Sequence, residues 1–355
     1  GNGGGGSGSQ HSPGILTFPQ QQSGSGSGVS FALAQGSYNG LFYETNGVKP
    51  STSGFFTAKL NGKGTFSAKI QLGNSTYSFS KAFDVNGNVT IPPSLAGKKP
   101  VPFTVTLHLV NNDQITGEVS GNGWTAQLLA FNSVKNASMF GVGKHSLVLS
   151  VNETNSTTTD SGDSFGTMTL SKNGGIQWSG VVSDGGKVSQ KSALSQNGVW
   201  PLYSSTYGGN GSLIGWLQLT NGTSDIGGSA IWIVPANQNS LYPNGLTNEL
   251  DATGSELATP PAGTQKTIVL TGPQLASPLT NSVTISGKAG KNGDNSLTLS
   301  IDAKNGLFSG SVVDPNSSQK LSFQGALLEK SGMGGGFFLN ANKNQGGKVY
   351  LVPAN

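Results

Sequence analysis

Cysteine and arginine are both absent from the sequence, and charge of either sign is scarce. Only 10% of the 355 residues are charged, the 20 basic residues are all lysines, and the formal net charge is +4. Without cysteine there is no disulfide, and no thiolate is available as a nucleophile or a metal ligand. Without arginine the chain lacks the forked side chain that most often reads bases and phosphates, so we expect no nucleic-acid partner. The lysines are spread along the sequence, which is typical of solubility and of protected strand edges.

Long hydrophobic runs are missing as well. No segment has the ~18 consecutive apolar residues that a membrane-spanning helix requires, so we expect no membrane span. No segment carries a sustained apolar stripe at 3.6-residue spacing with capping residues at its ends, so we expect almost no α-helix.

The sequence does contain the pattern of short β-strands. Apolar and polar residues alternate, as at Phe103, Val105, Leu107 and Leu109, which places one face of a strand in a core. Disordered sequence has no reason to alternate, so the low charge does not indicate disorder. Asn-Gly pairs, which suit the positive φ angles of tight hairpin turns, recur along the chain; they include Asn61-Gly62, Asn122-Gly123, Asn173-Gly174 and Asn305-Gly306.

One plan of three strands and two tight turns recurs along the chain. It is clearest at residues 165–203, and similar stretches occur at residues 55–87 and 295–330. Regular antiparallel meanders with frequent glycine close into barrels or stack as sandwiches. We therefore predict an all-β fold of two tandem antiparallel barrel-like or sandwich units built from repeated meanders, with an extended Gly-rich N-terminal arm.

Changes in composition divide the chain. Val29, Phe31 and Leu33 alternate along one face and mark the beginning of the first unit. The predicted domains are a Gly/Ser-rich extended arm at 1–28, a first unit at 29–143 and a second unit, with two of the meander repeats, at 144–355. Strands of the first unit are predicted at residues 37–43, 54–60, 64–72, 76–85, 102–110, 113–120 and 123–131.

The arm contains a short apolar segment. Ile15, Leu16, Thr17 and Phe18 lie between two prolines in a region whose composition is otherwise that of a linker. An extended segment of this kind docks by adding a strand to an exposed sheet edge. That edge belongs either to the same chain or to a second copy, and the sequence leaves both open.

Several motifs resemble an uncharacterised β-rich repeat module of large secreted and surface proteins of Gram-negative bacteria. They stand at residues 39–43, 53–57, 200–203, 211–216, 323–328 and 335–338. The resemblance covers about residues 36–352 and leaves the arm unmatched. It implies a secreted or cell-surface location, and because the module has no established activity it transfers no functional residues.

Catalytic and metal-binding patterns are poor. The three histidines, His11, His108 and His145, are isolated from one another in sequence, and no nucleophile elbow leads from a strand into a helix. The acids stand mostly beside turn glycines, where they serve turns and caps. Two loops with oxygen ligands, at 160–163 and 292–295, lack the ligand count of a calcium site. We expect no enzyme, no cofactor and no metal.

A group of aromatic residues in the middle of the chain is a candidate glycan platform, because exposed aromatic faces stack on sugar rings. The alternative is that large aromatic residues in strand patterns, such as Trp216 and Trp232, fill a barrel. The platform residues are Trp200, Tyr203, Tyr207 and Tyr242.

Two functions follow. The first is an extracellular structural protein, a filament or surface-layer subunit that forms a homopolymer when its arm adds a strand to a neighbouring subunit. The second is a carbohydrate-binding or adhesive module of a secreted bacterial protein, with surface glycans as partners.

Overall fold

The structure, a computed structural model, describes residues 12–20, 28–94, 99–158, 160–222, 225–257, 260–286, 289–291 and 296–354. Within these ranges the chain forms 24 β-strands, so the all-β prediction is confirmed. Helical structure in the same ranges is confined to one α-helix, α1 (Phe31–Ala34), and to 3-10 helices at Pro50–Thr52, Ser138–Phe140 and Tyr207–Gly209. No helix there is long and apolar enough to cross a membrane.

Barrel 1 is an antiparallel sheet of eight strands. These are β1 (Gly36–Tyr43), β2 (Gly54–Leu60), β3 (Thr65–Leu72), β4 (Ser75–Ala82), β5 (Asn88–Ile91), β6 (Thr104–Val110), β7 (Gln114–Gly121) and β8 (Trp124–Asn132). Their order in the sheet is β4-β3-β2-β1-β8-β7-β6-β5. Two four-stranded meanders are thus joined by pairing of the first strand with the last.

Barrel 2 repeats this arrangement. Its strands are β9 (Gly143–Ser156), β10 (Ser164–Leu170), β11 (Gly175–Val181), β12 (Lys187–Ala193), β13 (Val199–Thr206), β14 (Gly211–Leu219), β15 (Ile226–Val234) and β16 (Leu246–Glu256). Their order is β12-β11-β10-β9-β16-β15-β14-β13, which is the order of barrel 1 strand for strand.

Barrel 3 has the same cyclic order and is closed. Its strands are β17 (Gln265–Thr271), β18 (Leu279–Ser286), β19 (Ala289–Lys291), β20 (Thr298–Asp302), β21 (Leu307–Val313), β22 (Lys320–Leu328), β23 (Met333–Asn340) and β24 (Gly346–Pro353). Here the fourth and fifth strands, β20 and β21, pair along a hydrogen-bonded ladder. The final strand, β24, pairs with β17.

The three barrels share the chemistry of one turn, between their fourth and fifth strands. A glycine with φ of 78°, 80° or 66° ends that turn, at Gly87, Gly198 and Gly306, and only glycine adopts such angles without strain. The glycine carbonyl accepts a hydrogen bond of 2.8, 2.8 or 2.7 Å from a leucine N–H on the sixth strand, at Leu109, Leu219 and Leu327. The repeating unit is therefore a whole eight-stranded barrel.

The repeating unit differs from the three-stranded one that the sequence indicates, because the three similar stretches do not occupy equivalent positions in their barrels. Residues 55–87 and 165–203 contain the second to fourth strands of barrels 1 and 2, whereas residues 295–330 contain the fourth to sixth strands of barrel 3. Residues 144–355 hold two barrels. Successive hairpins of an up-and-down barrel share the same alternation and turn residues, so local pattern identifies a hairpin without giving its position in the barrel.

The closure between the fourth and fifth strands is where the barrels differ. In barrel 2 this seam has no ladder and is bridged by side chains: Gln190 Nε2 donates to the Pro201 carbonyl at 2.9 Å, and Ser204 Oγ donates to the Ser189 carbonyl at 2.9 Å. Pro201 has no N–H to give to a ladder. Barrels 1 and 2 are thus nearly closed, while barrel 3 is closed.

Each barrel encloses its own apolar core, as strand alternation requires. The largest fully buried side chains include Phe42, Phe56 and Phe66 in barrel 1, Trp178, Trp200 and Trp232 in barrel 2, and Phe308 in barrel 3. Trp232 therefore fills a barrel, as the alternative interpretation of the aromatic residues predicts.

The chain forms a short helix, α1, where the alternation of Val29, Phe31 and Leu33 predicts residues on one face. Ser30 caps the helix by accepting a hydrogen bond from the Leu33 N–H at 3.4 Å. Val29 and Phe31 pack against the core of barrel 1, but Leu33 is 72% exposed. Three residues that alternate in sequence thus do not share a face, because the backbone turns into a helix.

Candidate functional site

The apolar part of the N-terminal arm lies on the chain's own body, between barrels 1 and 2. We call residues 12–20 the arm segment. Leu16 is 5% exposed and belongs to the same buried cluster as side chains of both barrels. Phe18 stacks on Tyr43 with ring centroids 4.2 Å apart and planes 8° apart. The Val48 N–H donates to the Gly14 carbonyl at 2.8 Å, which fixes the segment at its beginning.

Both barrels line this seat with outward-facing strand residues, and Val48 adds a contact from the loop after β1. We call the buried cluster of the arm segment and the two barrels the arm junction. Its residues from the barrels are Leu41, Tyr43, Val48, Phe55, Leu129 and Phe131 on the side of barrel 1, and Val199, Tyr203, Ile214, Trp216 and Ile231 on the side of barrel 2.

One hydrogen bond crosses the arm junction between two aromatic side chains. Trp216 Nε1 donates to Tyr43 Oη at 2.9 Å, and Phe131 packs edge-on against Trp216 at 6.0 Å. Burial raises the pKa of the Tyr43 hydroxyl above its ordinary value, so this tyrosine stays neutral. The bond satisfies two polar atoms that would otherwise be buried without partners.

The way in which the arm segment docks differs from the expected one. Thr17 is exposed and Ile15 is half-buried, so the four predicted residues insert only in part. None of the described arm residues belongs to a strand. Within this chain the segment therefore docks by side-chain insertion and by a backbone hydrogen bond, and it adds no strand to a sheet.

The four residues of the candidate glycan platform are not brought together at the surface. Trp200 is fully buried in the core of barrel 2, edge-on to Trp178 at 5.8 Å. Tyr203 is 2% exposed in the arm junction, where its Oη accepts a hydrogen bond from the Gly73 N–H at 3.1 Å. Burial raises the pKa of Tyr203 to about 12. Neither ring presents a face to solvent.

Tyr207 and Tyr242 meet instead around a carboxylate at one end of barrel 2. The Tyr207 hydroxyl donates to Asp184, and Asn239 Nδ2 donates to the same carboxylate oxygen at 2.9 Å. Burial, with the charge of Asp184, raises the pKa of Tyr207, and burial raises that of Tyr242 to about 12. Tyr242 packs edge-on against Trp232 at 5.8 Å. This cluster anchors the loop before β16 and leaves one of the two rings, Tyr207, half-buried.

Among the described residues, the histidines and the loop at 160–163 form no cluster of metal ligands. His11 and residues 292–295 lie outside the described residues. His145 is fully buried in barrel 2 and His108 lies on β6 with Nδ1 2.7 Å from Asn88 Oδ1. In the part of the chain that the structure describes, no three His, Asp or Glu residues are grouped as metal ligands.

Asp163, at the end of one of these loops, belongs to the contact between barrels 2 and 3. Its carboxylate lies 3.8 Å from Lys348 Nζ and accepts a hydrogen bond from the Val151 N–H at 3.3 Å. Burial raises the pKa of Asp163, and the Lys348 charge and hydrogen bonds oppose this shift. The rings of Phe165 and Phe337 pack against each other in the same contact, with centroids 5.9 Å apart. We call this contact the polar junction.

Sequence reasoning missed the residues that matter most at both junctions. Tyr43 and Trp216 stand at strand positions whose parity places them outside their barrels, a signal that could have marked an interface. The interpretation that Trp216 fills a barrel is therefore wrong, although it holds for Trp232. Asp163 follows a Ser-Gly pair and has the appearance of a turn residue. Nothing in the sequence shows that Lys348, on the last strand, reaches it.

No family model matches the chain, and no curated protein matches it in sequence. Solved structures show a weak likeness. A transferrin-binding protein B double mutant from Haemophilus parasuis is 11% identical, with 96% of this chain and 78% of that chain covered and a TM-score of 0.22. The corresponding protein from Neisseria meningitidis is 11% identical, with 88% and 67% covered and a TM-score of 0.21. A Nostoc punctiforme protein of unknown function, from the DUF3598 family, is 12% identical, with 62% and 98% covered and a TM-score of 0.19. Values this low assign neither a fold nor a function to the chain.

Proposed function

We propose that the chain is a non-enzymatic structural protein of the cell exterior that assembles with copies of itself through its arm segment. The observation that carries this proposal is the arm junction, a seat built by two barrels and filled by Leu16 and Phe18. The exterior location rests on the low charge and on the resemblance of the strand motifs to a surface module.

The rigidity expected of a structural subunit is supported by the two junctions. Each joins neighbouring barrels through buried side chains and direct hydrogen bonds. Barrels joined in this way move together more than domains held by a linker alone.

Assembly follows from exchange of the arm segment. A short segment that fills a seat on its own chain fits the same seat on a second copy, and such swapping needs no new contact surface. Repeated from copy to copy in one direction, the exchange gives an open polymer. This differs from strand addition, because side chains rather than a backbone ladder make the contact.

The test compares the full chain with a chain that begins at Val29, by light scattering and negative-stain microscopy. We expect polymers from the full chain at rising concentration and monomers from the shortened one. In the full chain, Leu16→Asp should prevent assembly because it places a charge in an apolar seat. The control Thr17→Asp adds the same charge at the exposed neighbour and should assemble normally. A full chain that stays monomeric at every concentration would show that the arm segment acts only within its own chain.

The second hypothesis, a glycan platform of central aromatic residues, gains no support from their positions. Trp200 and Tyr203 are buried and Tyr242 is 8% exposed, so we do not propose it.

A further inference from the structure

A trough runs between barrels 1 and 2 on the outer face of β1–β4. It consists of two consecutive concavities of about 690 and 530 Å³. The first is lined by Thr57 and Lys69, among others, and reaches Ala193 on β12. The second continues from Phe55 on β2 and Gln71 on β3 to Lys191 on β12. Strands β2, β3 and β12 line both concavities, so the two adjoin as one open groove.

The charge along this trough has a single sign. Lys59 and Lys69 line the first concavity, Lys187 and Lys191 line the second, and no acid lines either among the described residues. All four lysines are exposed, and within the described part of the chain none forms an ion pair. The lysines are evenly spread in sequence, but the order of the strands gathers them on one surface. A concave surface of one charge concentrates ions of the opposite charge.

The spacing of the lysines fits an extended partner. Lys69 pairs with Thr57, and Lys59 pairs with Ser67, so the two lysines are diagonal neighbours about 7–8 Å apart at Cα. Lys187 and Lys191 are four residues apart on one strand, which is about 13 Å. A small anion would need charges that converge on one point. Charges that are separated along a groove match a linear polymer that carries an anion at intervals.

The neutral lining supplies hydroxyl and amide groups. Exposed or half-buried side chains between the lysines include Ser67, Ser78, Ser80, Gln71, Gln177 and Ser189. Hydroxyls and amides both donate and accept hydrogen bonds, as sugar hydroxyls do. A single-stranded nucleic acid would require exposed aromatic rings for its bases, and a duplex reader would favour arginine. The aromatic residues that line the trough do not present exposed rings: Phe79 is half-buried, and the others are buried, namely Tyr38, Phe55, Trp178 and Tyr203.

We propose that this trough binds a linear acidic polysaccharide, carboxylated or sulfated. The lysines pair with the anionic groups as point charges, and the serine and amide side chains hydrogen-bond the intervening hydroxyls. The proposal is independent of the arm segment and of self-assembly.

The experiment measures binding of the full chain by calorimetry at low and high salt. The probes are polygalacturonate for carboxylates, dextran sulfate for sulfates, neutral dextran and single-stranded DNA. We expect one or both acidic polysaccharides to bind, with an affinity that falls as salt rises, and neutral dextran not to bind.

Two sets of variants locate the site. Changing Lys59, Lys69, Lys187 and Lys191 together to Gln should weaken binding about tenfold or more, and changing the same four to Arg should preserve most of it because the charge stays. The matched control changes four exposed lysines elsewhere to Gln, namely Lys135, Lys304, Lys320 and Lys343, and lowers the net charge equally. It should leave binding within about twofold.

Three outcomes would overturn the proposal. Equal weakening by the two Gln sets would mean that net charge alone attracts the polymer. Binding of DNA in preference to both acidic polysaccharides would assign another class of partner. Failure of all acidic probes to bind a folded chain would leave the trough without this ligand. The pairs Lys59/Lys69 and Lys187/Lys191, each changed to Gln, repeat the test if the fourfold variant does not fold.

Discussion

The two junctions join similar barrels by different chemistry. The arm junction is apolar and aromatic, and it also includes the arm segment. Its hydrogen bonds include those of Trp216 Nε1 to Tyr43 Oη and of the Gly73 N–H to Tyr203 Oη. The polar junction has a smaller apolar patch, a buried carboxylate beside Lys348, and several bonds to backbone carbonyls, such as that of Thr167 Oγ1 to the Asn305 carbonyl at 2.7 Å. Repetition of a fold therefore does not repeat its contacts.

Because their chemistry differs, the two junctions are sensitive to different conditions. Apolar contact involves no proton binding, so the arm junction responds mainly to loss of side-chain volume or of the arm segment. A buried carboxylate responds to proton concentration, so the polar junction responds to pH.

The largest effect is expected from Trp216→Ala. The change removes the largest side chain of the arm junction and leaves the Tyr43 hydroxyl without its donor, so unfolding should require about 3–5 kcal/mol less. It should also loosen the arm segment, so that chymotrypsin cleaves after Leu16 faster than in the unchanged protein. The measurements are denaturant titration and timed proteolysis.

The matched variant is Phe337→Ala in the polar junction. It also removes a buried aromatic ring but does not touch the arm segment, so stability should fall while cleavage after Leu16 stays slow. Equal acceleration of cleavage in both variants would show that the junctions are not independent.

An intermediate effect is expected from Asp163→Asn. Burial raises the pKa of Asp163 in the folded chain, so between its ordinary value and the raised value the folded state binds more protons than the unfolded state. The free energy of unfolding therefore falls as pH rises through that window. Asp163→Asn should remove this part of the pH dependence and change stability at pH 7 by on the order of 1 kcal/mol.

The measurement is denaturant unfolding across the acidic range, with Asp251→Asn as control. Asp251 is exposed on β16, and its loss should leave the slope in place. If the slope survives in Asp163→Asn, another carboxyl group is responsible for it.

The smallest effect is expected from Lys330→Gln. Lys330 Nζ lies 3.0 Å from Asp225 between barrels 3 and 2, with side chains 57% and 45% exposed. A pair so exposed contributes under about 1 kcal/mol, and less in salt. A double-mutant cycle with Asp225→Asn measures the coupling. A larger coupling energy would mean that this surface ion pair helps to stabilise the contact between barrels 2 and 3.

Most strands of barrel 1 could be predicted because their alternation is clean. The predicted strand at 54–60 coincides with β2, and that at 37–43 differs from β1 by one residue. The strand β5 (Asn88–Ile91) was missed because it has four residues, of which only one is buried. So short a segment has too few positions to show a period.

The number of barrels could not be predicted, because closure depends on pairing between strands far apart in sequence. Leu41, for example, pairs with Phe55 and with Leu129. Neither partner is identifiable from alternation, which fixes the face of a residue but not its neighbour on the next strand.

The candidate site could be predicted only in part, for a related reason. The apolar character of Leu16 and Phe18 indicates that the arm segment docks, but its seat is made by two barrels whose relation no local pattern gives. For Trp200 and Tyr203, aromatic type was visible in the sequence while burial was not. The position of each on a strand decides between core, interface and surface.

Each barrel begins and ends on strands that lie side by side. Tyr38 stands opposite Asn132, His145 opposite Glu256 and Lys266 opposite Pro353. The chain thus enters and leaves every barrel at one corner, the arrangement in which whole domains are inserted or removed with least disturbance. A gene that encodes such units can gain or lose one by duplication or deletion, and the path of the chain through the other barrels stays the same. The size of the molecule is therefore a trait that evolution can change in steps of one barrel.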